Sequence, residues 1–299
     1  MKIIEPSFEI IDEPDALKKI ELCGRVCYKS ESKITDISAE KFIMNLIRRG
    51  HESVLEHVQI IIKVDEVDAR KFDYILKDIY NRYGWRCLLR MTRGNRRFII
   101  SGNVRMWRDL IRHISLSVIF TPLSLLRGIL FDDVNKTPSD VTTTAEIITA
   151  DQLLTEDEKN AHATETVRFI CDRGISHEIV RHRMASFSQE STRYCNYAGE
   201  ITFIKPPFFD GVLFNEWEKS IIYAELAYNL LISKGAKPQE ARAVLPNSLK
   251  TELIMTATRD SWKHFFELRT SPAAHPQMRQ IAEPLKTAIV ERWYKNELL

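Results

Sequence analysis

Apolar residues recur along this chain with two different periods. Residues 2–11 alternate loosely between apolar and polar, which predicts a strand, whereas Ala16, Leu17, Ile20, Cys23 and Val26 return at helical spacing within 14–28. A hydroxyl cap at Ser38 predicts a helix ending near Gly50, and the β-branched run over 58–64 predicts a strand, so the opening reads β-α-α-β. Helices are then predicted over 68–83, 103–116 and 122–131, with a short strand over 96–101. The Thr-, Asp- and Glu-rich stretch 132–160 predicts a surface loop with a short acidic helix. Beyond it, helical periodicity dominates: a helix over 178–184, a strand over 201–204 stopped by Pro206-Pro207, and a long helix over 215–233 closed by Gly235. Pro238 suits the first turn of a short helix reaching 243, and further helices are predicted over 247–257, 259–269 and 276–294.

Composition adds bounds. A chain of 299 residues, 44% hydrophobic and 28% charged, can bury a substantial core, and one domain spanning 1–299 with an elaboration at about 66–165 accommodates every predicted element. Net charge is only +2, which provides no global basic field for nucleic acid, so an anion site must be local. The segment 86–113 does interleave arginines with Trp85, Phe98 and Trp107, as single-strand binders do, but the balanced whole-chain charge argues against a nucleic-acid partner. Five cysteines without CxxC spacing fit neither a zinc ribbon nor a disulfide framework and point to a reduced, cytoplasmic setting. No apolar run approaches the roughly 18 residues of a membrane span, and the N-terminus reads as a strand rather than a targeting segment.

The candidate chemistry concentrates at Arg181-His182-Arg183, followed by Ser186, Ser188, Gln189, Glu190, Ser191, Thr192 and Arg193. Guanidinium forks bind phosphate bidentately, and hydroxyls and amides supply neutral hydrogen bonds to a sugar or base, so this segment points to a phosphorylated small molecule. On a continuous helix Glu178 would share a face with Arg181 and His182 before the chain enters a polar loop. His51 to His57 and His177 to His182 superficially resemble zinc-protease motifs, but their spacing is wrong and no metal is expected. Ser191 lacks a nucleophile elbow, and nothing in the sequence guarantees a lowered thiol pKa at Cys195. Arg242 and Arg269 read equally well as helix-terminal cations or as ligand contacts. Without any Gly-x-Gly, a dinucleotide would need an architecture other than a Rossmann unit.

Four ordered motifs resemble those of the flavin-dependent thymidylate synthases. They are His51-Glu52-Ser53 with Glu56-His57, Arg181-His182-Arg183 followed after seven intervening residues by Ser191, Gln189 through Tyr194, and Leu268-Arg269 through Gln277. The resemblance covers roughly 1–64 and 167–294. It implies an α/β fold with a mixed sheet and flanking helices, a largely helical insertion at about 66–165, and a homotetramer with active sites between subunits. The implied reaction makes dTMP from dUMP, with methylenetetrahydrofolate as carbon donor and FAD reduced by NADPH as hydride donor. By the same resemblance Ser53, Arg181, His182, Arg183, Gln189 and His264 would contact FAD, along with the stretch Thr258-Arg259-Asp260, which stands where many members carry Asn-x-Arg. Glu178, Arg181, Gln189, Glu190, Ser191, Thr192, Arg193, Arg242 and Arg269 would hold dUMP, with Arg269 stabilising the ionised pyrimidine. The alternative implied by Asp260 and the insertion is a catalytically impaired relative that binds nucleotide as a sensor or assembly partner.

Overall fold

Pro6 divides the predicted first strand into β1 (Lys2–Ile4) and β2 (Ser7–Ile10), because proline offers no N–H to a ladder. β1 runs parallel to β9 (Thr202–Ile204), whereas β2 pairs antiparallel with β7 (Thr164–Asp172). The computed structural model describes residues 1–64, 89–94, 97–113, 125–134 and 145–295. The helix expected over 68–83 lies outside the described residues, as do residues 122–124 and 135–144.

Asp15 caps α1 (Ala16–Val26) by accepting the Leu17 and Lys18 N–H groups. Ser38 opens α2 (Ser38–Arg48) from inside the helix instead of capping it; its hydroxyl accepts the Thr35 N–H and donates to Glu21 of α1. The two helices cross so closely that a Cβ on Gly24 would sit 2.6 Å from the Phe42 ring. A 3-10 turn, Glu52–His57, then leads into β3 (Gln59–Val64).

The central sheet has the strand order β2-β7-β10-β8, with β8 (Ala185–Gln189) and β10 (Lys250–Thr258), and is antiparallel throughout. The second, β4-β5-β3-β6, adds β4 (Leu89–Gly94), β5 (Arg97–Asn103) and β6 (Glu146–Ile148) and is also antiparallel. The fold is α/β, but among the described residues two antiparallel sheets and one parallel pair replace the single mixed sheet. The described part of 66–165 carries these three strands together with α3 (Val104–His113) and α4 (Glu156–His162), so it is less helical than expected. Residues 125–134 hold turns around Gly128 (φ 82°) where the pattern predicted a helix over 122–131.

Two further expectations fail for an identifiable reason. The helix predicted over 247–257 is β10, buried on both faces: Leu253, Met255 and Ala257 point one way, Ile254 and Thr256 the other. A strand covered on both sides loses the polar alternation that would have marked it. The helix predicted over 178–184 is α5 (Arg173–Ile179), which stops before Arg181; Ala185 already pairs with Ala257 in the sheet. The expected polar loop after it therefore begins as β8, with Ser186 and Ser188 buried.

The remaining helices are α6 (Gly211–Ser233), α7 (Pro238–Ala241), α8 (Arg259–Arg269) and α9 (Pro276–Lys295). Gly235, at φ 94°, ends α6 in the left-handed region that a side chain disfavours. Trp262, Phe265 and Phe266 of α8 pack with Met278 and Leu285 of α9 against Phe169, Leu253 and Met255. On the other side, Ile254 joins α1, α2, β3, β5 and Trp107 in a second core. Burying each such side chain contributes about 1.5–3 kcal/mol, which fixes β8, β10 and α8 relative to one another. No helix among the described residues is long and apolar enough to cross a membrane.

Candidate functional site

The turn between α5 and β8 faces α8 across a cleft of about 690 Å³. Arg181, His182 and Arg183 come from the turn; Asp260, His264 and Arg269 come from the helix. Arg269 sits in the last turn of α8 and is held at three points. Its Nε donates to His182 Nε2 at 2.9 Å, and its two Nη groups donate to the Glu178 carboxylate and the Glu178 carbonyl, each at 2.8 Å. Glu178 therefore orients Arg269, rather than pairing with Arg181 or His182 along one helix face.

An arginine Nε–H can only donate, so His182 Nε2 must present its lone pair and the proton must reside on Nδ1. Burial, reinforced by the charges of Arg269 and His264, lowers the His182 pKa to about 4 and keeps the ring neutral at ordinary pH. Phe265 packs against it with ring centroids 4.9 Å apart, and His264 lies 6.1 Å away, edge to face. The result is a fixed cation at the base of an open cleft. Such a group can stabilise negative charge developing on a bound ligand without first reorganising.

The other predicted residues divide among several places. Thr258 lines a second, smaller cavity of about 50 Å³ that shares Met184 and Ala185 with the main cleft. Arg259 turns away and lies over Trp293 at 5.4 Å. Thr192 accepts from Arg242 at 3.1 Å, and with Arg173 these two line a separate cavity of about 250 Å³. Gln189 donates to Ser176 at 2.8 Å, while the wholly buried Glu190 carboxylate accepts from Tyr197 and pairs with Lys29 and Lys250. Ser53 and Arg193 are exposed and Ser191 half-buried; none of the three lines the main cleft.

Some residues near the site were not given a site role by the sequence reading. Met255 and Ser261 line the main cleft, beside Leu268 of the C-terminal motif, and Arg90 lines the smaller cavity. Met255 was hidden by the mistaken helix over 247–257, and Arg90 was read only as part of the basic-aromatic segment 86–113. His57 was visible in the upstream motif but has a different kind of role. It hydrogen-bonds Thr256 at 2.8 Å and Ser188 at 2.9 Å, pinning the turn to the central sheet, and burial lowers its pKa to about 3. In the basic-aromatic helix α3, Arg105 pairs with Glu56, and Arg108 and Arg112 pair with Glu52, so these three arginines are occupied within the chain.

An α/β scaffold that sets the immobilised Arg269 guanidinium and the neutral His182 imidazole along an open cleft has the chemistry to hold an anionic ligand. The chain belongs to the family described as thymidylate synthase complementing protein, whose model matches residues 9–72 and 157–293. It is 34% identical over 137 residues to a flavin-dependent thymidylate synthase from Pyrococcus furiosus, an alignment covering 44% of this chain and 56% of that protein. A flavin-dependent thymidylate synthase from Geobacter sulfurreducens is 34% identical over 116 residues, covering 37% and 49%. The chain thus matches about half the length of these curated relatives. Among solved structures, a UMP/dUMP methylase from Streptomyces cacaoi aligns with a TM-score of 0.43 and 15% identity, covering 99% of this chain and 92% of the other.

Proposed function

We propose that this protein is a flavin-dependent thymidylate synthase that methylates dUMP to dTMP in the cytoplasm, with methylenetetrahydrofolate as carbon donor and NADPH as the source of reducing equivalents. The observation that carries the reading is the immobilised Arg269 at the base of the cleft, in a chain of this family. Facing the pyrimidine, it would hold the negative charge that forms when N3 ionises and so enrich electron density at C5. Glu178 and neutral His182 keep it in place. The family-type fold, with one domain over 1–299, belongs to the same proposal.

The cleft residues fit FAD in chemical type. Arg181 and Arg183 supply exposed forks for phosphate, His182 and His264 present rings, and Met184 and Leu268 give apolar surface for a flat ring system. Ser53, Gln189, Thr258, Arg259 and Asp260 complete the proposed cofactor set. Bound there, reduced FAD supplies the hydride. We assign the nucleotide to Arg269 and Glu178 together with Arg181, Gln189, Ser191, Thr192, Arg193 and Arg242; Glu190, from the same motif, would reach it only by releasing Lys29, Lys250 or Tyr197. These residues lie in separate places on one chain, which supports completion of the site by a second copy. Val212, Leu213, Tyr223, Leu226 and Leu230 of α6 are all exposed, an apolar face of the kind that self-association buries, consistent with a homotetramer.

Asp260 on the cleft wall favours one second reading, a nucleotide-binding relative with impaired catalysis. The deciding experiment is the visible spectrum of purified protein with added FAD, followed by anaerobic NADPH reduction with and without dUMP. Flavin bands that bleach faster with dUMP, and dTMP formed when the folate is present, support the synthase. Binding of dUMP without NADPH oxidation moves the assignment to the second reading.

A further inference from the structure

Arg90 projects from β4, inside the stretch 73–156 that the family match leaves out. Its Nη2 donates to the Ser261 hydroxyl at 3.2 Å, and Ser261 in turn shares a hydrogen bond of 3.1 Å with Thr258. Arg90 is half-buried, yet among the described residues it has no carboxylate within ion-pairing distance and no other hydrogen-bond acceptor. Every other arginine drawn from this segment so far has a carboxylate of its own: Arg105 has Glu56, Arg108 has Asp133 and Arg112 has Asp109, the last two also sharing Glu52. Burial lowers the Arg90 pKa, and the charge of Asp260 acts in the opposite direction. A half-desolvated guanidinium without an anion is costly unless a ligand provides one.

Its surroundings are those of a ligand wall. Arg90 lines the small cavity with Gln59, Asn103 and Ser186, all neutral hydrogen-bonding groups. Glu56 also lines it, but its carboxylate is neutralised by Arg105 at 2.6 Å. Met184 and Ala185 belong to both this cavity and the main cleft, and Ser261 lines the main cleft, so Arg90 stands where the two meet.

We propose that Arg90 is a phosphate anchor of the cleft, contributed by the chain segment outside the family match, and that it binds the phosphate or pyrophosphate of a nucleotide-type ligand beside Asp260. Its remaining N–H groups form the fork that a phosphate accepts bidentately, while Asp260 lowers the affinity that the fork would otherwise give. The identification of that ligand as FAD rests on the flavin reading above; the anion site itself does not.

The test is titration calorimetry of the full-length protein with inorganic pyrophosphate, FAD and riboflavin, which lacks a phosphate. Arg90→Ala should weaken pyrophosphate and FAD by about tenfold or more, leave riboflavin unchanged and flatten the salt dependence. Arg90→Lys should fall between, and Asp260→Asn should tighten pyrophosphate several-fold without touching the fold at Arg90. Unchanged FAD and pyrophosphate affinities in Arg90→Ala would overturn the proposal and leave the flavin reading standing. Wild-type protein that binds pyrophosphate but no flavin would remove the flavin reading and keep the anchor, provided Arg90→Ala abolishes that binding. Binding of neither by wild type removes both.

Discussion

Glu178 and Glu190 flank the same arginine-rich segment, yet the fold treats them in opposite ways. The Glu178 side chain is 33% exposed and its ion pair is with Arg269, which itself opens onto the cleft. The Glu190 side chain is 0% exposed, with one oxygen on Lys29 and Tyr197 and the other on Lys250. Lys250 continues to Glu252, and Glu252 to Arg168, so Glu190 ends a ladder of charges running across the central sheet. A nucleotide would reach Glu190 only by displacing one of its three partners, whereas the Arg269 corner is already open. What separates a carboxylate that steers a ligand cation from one that fastens the chain is therefore how far its oxygens are satisfied, not where it lies in a motif.

The comparison breaks most visibly at Glu190. Replacing it with alanine leaves the buried Tyr197 hydroxyl without its acceptor and Lys250 with Glu252 alone, which should lower stability by about 1–3 kcal/mol, read as a shift of the urea midpoint at constant slope. A shift under about 1 kcal/mol would mean that Glu190 does not fasten the sheet and is available to a ligand. Arg269→Ala should do the converse. Turnover should fall by about 10²–10³-fold with FAD still bound and the urea midpoint nearly unmoved, because Glu178 can hydrate once the guanidinium is gone. Normal turnover in that variant would remove the role assigned to Arg269.

The legibility of the two corners differs for the same physical reason. Residue types announce chemistry, so Arg181 and His182 stood out before any fold was known, whereas Arg269 was singled out only by the family resemblance; α8, α9 and the long helix over 211–233 were readable from their periodicity. Partners did not stand out. Lys29 and Lys250 reach Glu190 from α1's far end and from β10, and β10 itself was read as a helix because both of its faces are buried. Ser186 and Ser188 looked like loop hydroxyls, but they alternate along a strand and point inward, Ser188 onto His57. Arg90 stood out only as one arginine of the basic-aromatic segment 86–113, and its place beside Ser261 became visible only when the sheet was formed.

Acid should distinguish the corners further. The pKa values of His57, His162 and His182 are lowered to about 3, about 4 and about 4, in each case chiefly by burial. Each ring is neutral when folded and gains a proton more readily when unfolded, so stability is fully present above pH 6.5 and declines as pH falls towards the folded-state values. The slope is about 1.4 kcal/mol per pH unit for each histidine. His182→Asn, which retains an acceptor for Arg269 Nε, should remove one histidine's share of that slope, measured by urea titrations between pH 7 and 4.5. An unchanged slope would mean that His182 is not held neutral against Arg269.

Arg193 provides the finest contrast, since it belongs to the same motif as Glu190 but is exposed, with its guanidinium 5.5 Å from the Tyr194 ring centroid. Among the described residues, none satisfies its guanidinium as Lys29, Lys250 and Tyr197 satisfy Glu190. Arg193→Ala should thus leave the urea midpoint within about 0.5 kcal/mol of wild type, and any energetic consequence should appear only when nucleotide is present. Removing one charge-assisted contact made equally in the ground and transition states should raise the KM for dUMP by about tenfold with kcat retained. A fall in kcat instead would place Arg193 with Arg269 as a group felt in the transition state. A loss of stability without ligand would place it with Glu190, and exposure would then have failed as the criterion that separates the two corners.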